Sequence, residues 1–368
     1  MRIAICSTFP PYRGGIAQFN ARLSEELAKE HTVHRITWTR QYPKLLFPGT
    51  DQFDPSFLVD DGAAERVLDS IDPFSWERTA KRIISGSPDL LFVRYWTPFL
   101  APATASVARK VHNGGVKVVG IVDNLLPHER HVYDKPLARR FLRACDRIVT
   151  LSGSVAAEVR MLDPRIPVSV LSHPLYDHFG PPSSPNEAYR ALGLRSGPRD
   201  ILFFGLIRPY KGLEVLLQAF ERLPGDTRLI IAGEPYGGRD ALRRRIDAHP
   251  CRERLVLHDH FVRDDLVRHY FSIAQVVALP YLSATQSGVT AAAFHFDVPV
   301  VSSDVGGLRE VVLEGRTGAL VPPRDPESLA RALEHVLAKG KGSYRPGIEA
   351  LKEKLSWTRF AAQLTTPG

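Results

Sequence analysis

Short apolar runs rich in β-branched residues alternate with helical periods twice over along this chain of 368 residues. That alternation restricts the fold to parallel α/β sheets. In the first half it predicts strands at Arg2–Cys6, Val33–Trp38, Leu90–Arg94, Val116–Val122, Arg147–Leu151 and Val168–Leu171. A helix over Ala17–Lys29 carries Phe19, Leu23 and Leu27 on one face. The pattern breaks around Ser172–Gly193, where Phe179-Gly180-Pro181-Pro182-Ser183-Ser184-Pro185 reads as an interdomain connection. The second series predicts strands at Ile201–Phe204, Arg228–Ala232, Arg254–Leu257, Gln275–Leu279, Val298–Ser302 and Ala319–Val321. Its helices are expected at Leu213–Arg222, Asp240–Ala248, Asp265–Ile273, Ser287–Phe296 and Pro326–Ala338, with a last helix over Ile348–Leu364. The fold class is therefore α/β: two doubly wound domains facing a cleft, spanning 1–178 and 179–346, with a helical segment at 347–368. Ligands of open parallel sheets bind beyond the carboxyl ends of the strands. The loops after Cys6, Val122, Phe204, Ala232 and Leu279 are thus the places for chemistry.

Composition sets the outer limits. No apolar run approaches the roughly 20 residues of a membrane helix. Met1-Arg2 followed by Ile3-Ala4-Ile5-Cys6 is too short for a secretory signal and reads as a first strand, so a cytoplasmic protein is expected. Cys6, Cys145 and Cys251 lie far apart, which fits neither a disulfide framework nor a zinc cluster. The net charge of +8 fits nucleic acid, anionic lipid or phosphorylated substrates alike. Residues 1–200 hold 26 basic and 21 acidic side chains, and residues 201–368 hold 22 and 19. The excess is not gathered in an arm, so nucleic acid is not the expected partner.

Two loops stand out. After the first strand, Gly14 and Gly15 directly precede a helix. Glycine lets backbone approach a ligand, and a helix N-terminus offers N–H groups to anions. A plain strand-to-helix turn explains the pair equally well. After Phe204, the run Gly205-Leu206-Ile207-Arg208-Pro209-Tyr210-Lys211-Gly212 brings two cations beside a helix start, where a diphosphate could sit. Neither loop is GxGxxG, which argues against a nicotinamide-dependent oxidoreductase.

The Gly205–Gly212 run resembles the phosphate loop of family 4 of the retaining glycosyltransferases, whose fold, GT-B, pairs two Rossmann-like domains. Further segments resemble the family in order: Gly14-Gly15 with the following helix, Leu229–Glu234, Phe261-Val262 with Leu266 and Tyr270, Pro299–Ser303, Val305–Glu310 and Gly315–Gly318. The resemblance covers the whole second half and is patchier in the first. It implies an acceptor-binding first domain and a nucleotide-sugar-binding second domain, with the closing helix returning to the first.

Arg208 and Lys211 would hold the diphosphate and stabilise the leaving nucleotide in place of a divalent metal. Gly14, Gly15, Gly205, Glu234, Phe261 and Val262 would border the donor. No cofactor is implied beyond the nucleotide-sugar itself, and the acceptor would be a surface glycan or its lipid-linked precursor. Two positions depart from the family. Its two glutamates, eight residues apart, are replaced by Ala284 and Ala292, beside a Gln286-Ser287-Gly288-Val289 turn that resembles a known variant. That turn could meet donor hydroxyls or phosphate through backbone N–H groups and the Gln286 side chain. Where the family often has a histidine near the reacting sugar, Asp123 stands, with His128 and Glu129 a few residues on. Either Asp123 or His128 is the expected group near the reacting centre.

Other features admit plainer readings. His258, Asp259 and His260 imitate a metal cluster but lack a further ligand nearby, and Ser152 reads as a helix cap. The Arg243–Arg245 run reads as a solvated face. Lys135, Arg139, Arg140 and Arg143, with Leu137, Phe141 and Leu142 between them, form a basic amphipathic stretch. It is either a solvated helix or a peripheral contact with the anionic inner face of a membrane. Competing activities are a sugar-nucleotide-binding protein without turnover and a sugar-nucleotide epimerase of the same fold.

Overall fold

The computed structural model describes residues 1–43, 52–53, 64–127, 131–197 and 199–366. Among them the chain divides into two compact units, one made of Met1–His173 and Trp357–Gly368, the other of Pro174–Ser356. The first crossing falls five residues before the expected 178/179 boundary, and the second falls after 356 instead of 346.

The first unit starts with β1 (Arg2–Cys6), α1 (Gly15–Ala28), β2 (Thr32–Arg40), β3 (Glu65–Asp69), α2 (Pro73–Ser85) and β4 (Leu90–Tyr95). It continues with α3 (Ala101–Asn113), β5 (Lys117–Val122), α4 (Asp134–Leu142), β6 (Arg147–Thr150), α5 (Gly153–Leu162) and β7 (Val168–Val170). Seven strands form one sheet in the order β3-β2-β1-β4-β5-β6-β7, every pairing parallel. The central strands are apolar runs because both faces are covered: Leu91, Phe92, Val93, Val118 and Ile121 are buried. A side-chain cap starts α5 where expected, and another starts α2. Ser152 Oγ accepts from Val155 N–H at the head of α5, and Asp72 Oδ1 accepts from Phe74 N–H ahead of Pro73 in α2.

The second unit contains α6 (Pro185–Ala191), β8 (Arg199–Phe204), α7 (Leu213–Phe220), β9 (Thr227–Ala232), α8 (Arg239–Asp247), β10 (Leu255–His258) and α9 (Asp264–Ile273). β11 (Val276–Leu279), α10 (Gly288–His295), β12 (Val300–Ser303), β13 (Gly318–Val321), α11 (Pro326–Lys339) and α12 (Arg345–Lys354) complete it. Its six parallel strands run β10-β9-β8-β11-β12-β13. α13 (Trp357–Thr365) belongs to the first unit, where Trp357 and Phe360 pack edge-on against Phe19 of α1.

Three expectations need correction. β3 was not anticipated: it is a charged edge strand, Glu-Arg-Val-Leu-Asp, in which only Leu68 is fully buried. The single helix expected over Ile348–Leu364 is two helices, broken at Leu355-Ser356. Serine competes for backbone hydrogen bonds inside a helix and favours a helix start. The turn-rich stretch at 179–185 is no free connection. Ser183 bonds His269 Nδ1 and Ser272, Gly180 O contacts His295 Nε2, and Ser184 caps α6, all within the second unit.

Candidate functional site

Each sheet reverses its strand order at one place, between β1 and β4 in the first unit and between β8 and β11 in the second. Loops leaving neighbouring strands on opposite sides of the sheet open a crevice there.

In the second unit the loop after β8 is locked to its neighbours by backbone. Gly205 N–H donates to Ala232 O at 2.9 Å, Ile207 N–H to Glu234 O at 2.9 Å, and Tyr236 N–H to Ile207 O at 2.9 Å. The loops after β8 and β9 therefore travel together, which brings Glu234 beside the expected phosphate loop. On the other side, Leu282 N–H donates to Tyr210 O at 2.7 Å. Gly212 has φ 68°, and a Cβ there would lie 1.9 Å from Pro280 O, so only glycine admits this approach to the loop after β11.

The side chains converge on the same spot. Lys211 is 7% exposed, its Nζ donates to Phe204 O at 3.4 Å, and it lies 5.6 Å from the Tyr281 ring centroid. A Cβ on Gly205 would sit 3.1 Å from Lys211 Nζ and 3.7 Å from Val289 Cγ2. Burial, and then the nearby Arg208 guanidinium, push the Lys211 ammonium down to about 7. No carboxylate pairs with it among the described residues. Arg208 lies over the Tyr236 ring, 3.9 Å from its centroid. Ser287 caps α10, accepting from Val289 N–H at 3.3 Å and meeting the buried Tyr281 hydroxyl at 3.3 Å. Gly288 is pressed by Tyr176, since a Cβ there would come within 2.6 Å of that ring. Half-buried Gln286 stands in the turn just ahead of Ser287.

The structure thus gathers Gly205, Arg208, Lys211, Glu234, Ser287, Gly288 and Val289 around one switch point, and adds Tyr236 and Tyr281, which sequence reasoning missed. Phe261 and Val262 follow β10, half-buried and buried respectively, one loop further out. Ala284 and Ala292 are turned to structural use. The Ala284 carbonyl lies 1.6 Å from where a Gly306 Cβ would be, and Ala292 is 3% exposed inside α10.

The first unit presents a different picture. Gly14 has φ 107°, stands exposed with open space where a Cβ would go, and heads α1 without a side-chain cap; Gly15 opens the helix. Behind them Asp123 is 4% exposed and gripped by Arg94 from β4, through Nε to Oδ2 and Nη2 to Oδ1, both at 2.6 Å. Arg94 Nη1 also donates to Asn20 Oδ1 at 3.0 Å, and Asn20 Nδ2 to Ser7 Oγ and Thr8 O at 2.8 Å. Arg94 is stacked 3.9 Å from the Phe19 centroid. Asp123 is therefore the buried anchor of this loop assembly rather than a carboxylate open to a sugar. His128 and Glu129 lie outside the described residues.

The imitation metal cluster disperses. His258 bonds the Tyr270 hydroxyl at 2.5 Å, and Asp259 is held bidentately by Arg243, whose side chain stays 54% exposed on the expected solvated face. Among the described residues no group of three or more His, Cys, Asp or Glu side chains is placed to hold a metal ion.

Comparison with known families decides the grouping. Residues 13–175 match the model described as Glycosyltransferase Family 4, and residues 198–339 match Glycosyl transferases group 1. The chain belongs to these glycosyltransferases. A D-inositol 3-phosphate glycosyltransferase of Xylanimonas cellulosilytica is 34% identical over 198 residues, 51% of this chain and 47% of that protein. The chain thus spans about half the length of the curated relative it matches. Two solved structures share the glycosyltransferase fold over nearly the whole chain. Sucrose-phosphate synthase from Thermosynechococcus elongatus is 20% identical with a TM-score of 0.75, covering 99% of this chain and 97% of that one. Anabaena HepE, solved in complex with UDP, is 15% identical with a TM-score of 0.78, covering 99% and 98%. The loop after β8 falls in the region that matches group 1, and the Arg94–Asp123 assembly in the region that matches family 4.

Proposed function

We propose that the protein transfers a glycosyl group, a hexose, from a nucleotide-sugar to an acceptor, with retention of configuration and without a metal ion. The observation that carries this reading is Lys211: an ammonium buried at a strand-order reversal, with no carboxylate partner among the described residues. Burying such a charge is costly, and a bound diphosphate would supply the missing counter-charge. Arg208 and Lys211 together would stabilise the negative charge that builds on the nucleotide as the bond to the sugar breaks. Gly205 leaves room for a phosphate beside Lys211, the Gln286–Val289 turn offers groups for donor hydroxyls, and Glu234, Phe261 and Val262 would border the rest of the nucleotide-sugar. Gly14 and Gly15 would approach the donor from their own loop. Asp123 would act through Arg94 as a positioning residue, leaving His128 as the candidate near the reacting centre.

The acceptor is proposed to be a cell-surface polysaccharide or a lipid-linked glycan precursor, reached in the cytoplasm with peripheral contact at the inner membrane face. Among the described residues no helix is long and apolar enough to cross a membrane. The buried Ala292 favours one competing reading, a protein that binds donor but turns it over weakly.

A thermal-shift panel of UDP-, GDP-, ADP- and dTDP-sugars with EDTA tests the donor site. A ligand at ~100 times its dissociation constant adds roughly 2.7 kcal/mol of stability. Stabilisation by one nucleotide class, lost in Lys211→Ala, is expected; no response to any nucleotide refutes the donor site. Radiolabelled donor then separates transfer from binding alone.

A further inference from the structure

Both cations of the loop after β8 have tyrosine rings beside them instead of carboxylates. Arg208 is half-buried, with its guanidinium carbon 3.9 Å from the Tyr236 ring centroid. Among the described residues no carboxylate pairs with that guanidinium and no oxygen accepts a hydrogen bond from it. Lys211 Nζ lies 5.6 Å from the Tyr281 centroid, but Tyr281 is 3% exposed and its hydroxyl meets the Ser287 cap at 3.3 Å. Tyr281 thus has a place in the fold whatever Lys211 does. Tyr236 is different: it is 37% exposed, and its hydroxyl bonds to no described residue, so the core does not require a tyrosine there.

Backbone carries the Tyr236 ring to its place. β8 and β9 pair in parallel up to Phe204 and Ala232, and the pairing runs on past both strand ends. Ile207 N–H donates to Glu234 O, Ile207 bridges Pro235 in parallel, and Tyr236 N–H donates to Ile207 O, the carbonyl of the peptide that leads into Arg208. Gly233 admits this approach: its φ is 152°, and a Cβ there would lie 2.1 Å from Gly205 O.

An aromatic face does for Arg208 what a carboxylate cannot. A carboxylate would neutralise the guanidinium and occupy its N–H donors, and a phosphate would have to displace it. The ring attracts the cation through its quadrupole and takes none of those donors. It also keeps Arg208 close to Lys211 against the repulsion between the two cations.

We propose that Tyr236 is a positioning residue of the diphosphate site, holding Arg208 in place, charged and uncommitted, for the phosphates of the donor; this rests on the donor site proposed above.

Calorimetric titration of the full chain with inorganic pyrophosphate, with EDTA at pH 6.5, reads that site without a choice of base. Tyr236→Leu should weaken pyrophosphate about fivefold, and Tyr236→Phe, which keeps the ring, should recover the affinity. In an Arg208→Ala background, Tyr236→Leu should cost nothing further, a coupling that a merely structural tyrosine would not show. Tyr236→Met repeats the loss with a second ringless side chain, so a folding defect in one variant does not decide the outcome. Unchanged affinity in Tyr236→Leu and Tyr236→Met overturns the proposal. So does a loss of equal size with and without Arg208, or a Tyr236→Phe variant as weak as Tyr236→Leu. Pyrophosphate that binds wild type and Arg208→Ala equally, or binds neither, refutes the donor site itself and the role of Tyr236 with it, so the two failures are told apart.

Discussion

Raising the pH through neutrality should weaken nucleotide-sugar binding, because the ammonium proposed to meet the diphosphate is already losing its proton. Lys211 is pushed down to about 7 by burial first and by Arg208 second. A bound diphosphate favours the charged form, so binding takes up a proton wherever the free side chain is neutral. The apparent affinity then scales with the protonated fraction of the free protein. That fraction falls about 25-fold between pH 6.5 and pH 8.5 for a group titrating near 7. The diphosphate of a nucleotide-sugar has no proton to lose in this window, so the ligand does not contribute. Titration calorimetry in two buffers of different ionisation enthalpy should show the dissociation constant rising by that factor, with close to one proton taken up per site at pH 8.5. A flat dissociation constant with no proton uptake would refute the reasoning and move the diphosphate away from Lys211.

The same group makes a prediction about stability with its own sign. In the unfolded chain it titrates at 10.5, in the folded protein at about 7, so the unfolded chain holds more protons between those values. Stability therefore rises with pH across the window, and the burial cost is present in full below pH 7. A depression from 10.5 to about 7 corresponds to about 5 kcal/mol at most. Lys211→Met should accordingly be more stable than wild type at pH 6.5, lose that advantage towards pH 10.5, and bind no nucleotide-sugar.

Two further perturbations separate scaffold from chemistry. Asp123→Ala leaves the Arg94 guanidinium buried without its carboxylate and should cost about 3–5 kcal/mol in urea unfolding while nucleotide-sugar affinity holds; a variant that keeps its stability but loses turnover would return Asp123 to a catalytic role. Gly212→Ala must move either its own left-handed backbone or Pro280 O, so a loss of about 1–3 kcal/mol together with loss of donor binding is expected in thermal-shift assays.

The strands were legible wherever both faces of the sheet are covered, since burial on two sides leaves an unbroken apolar run such as Leu229-Ile230-Ile231-Ala232. β3 escaped because an edge strand is selected for charge as much as for burial, and Glu65-Arg66-Val67-Leu68-Asp69 reads as a loop. The loop after β8 was legible as a candidate because its signal is local: strand, glycine, two cations and glycine within ten residues. Tyr236 and Tyr281 were not, because each reaches Arg208 or Lys211 only through the neighbouring positions of β9, β8 and β11, and strand order is absent from a linear pattern. Arg94 was hidden for another reason. It sits inside the apolar run Leu-Leu-Phe-Val-Arg-Tyr, where its charge becomes intelligible only once Asp123, just after β5, is seen across from it.

The two units share a topology and differ in how they treat a buried cation at the reversal point, and that difference supports the division of tasks proposed above. In the first unit the cation is Arg94, satisfied within the fold by donating two 2.6 Å bonds to Asp123 and one to Asn20. A pair so closed needs no ligand, and an added phosphate there would meet a site already neutral. In the second unit the cation is Lys211, which among the described residues has a carbonyl and an aromatic ring beside it but no carboxylate, and whose ammonium is pushed down to about 7 by burial and then by Arg208. A diphosphate would restore the missing charge in the second unit and would be superfluous in the first. That contrast supports the proposal that the donor binds on the loops after β8 and β11. On the same proposal, the rim of the first unit, where Arg94 and Asp123 satisfy each other, is left to the acceptor.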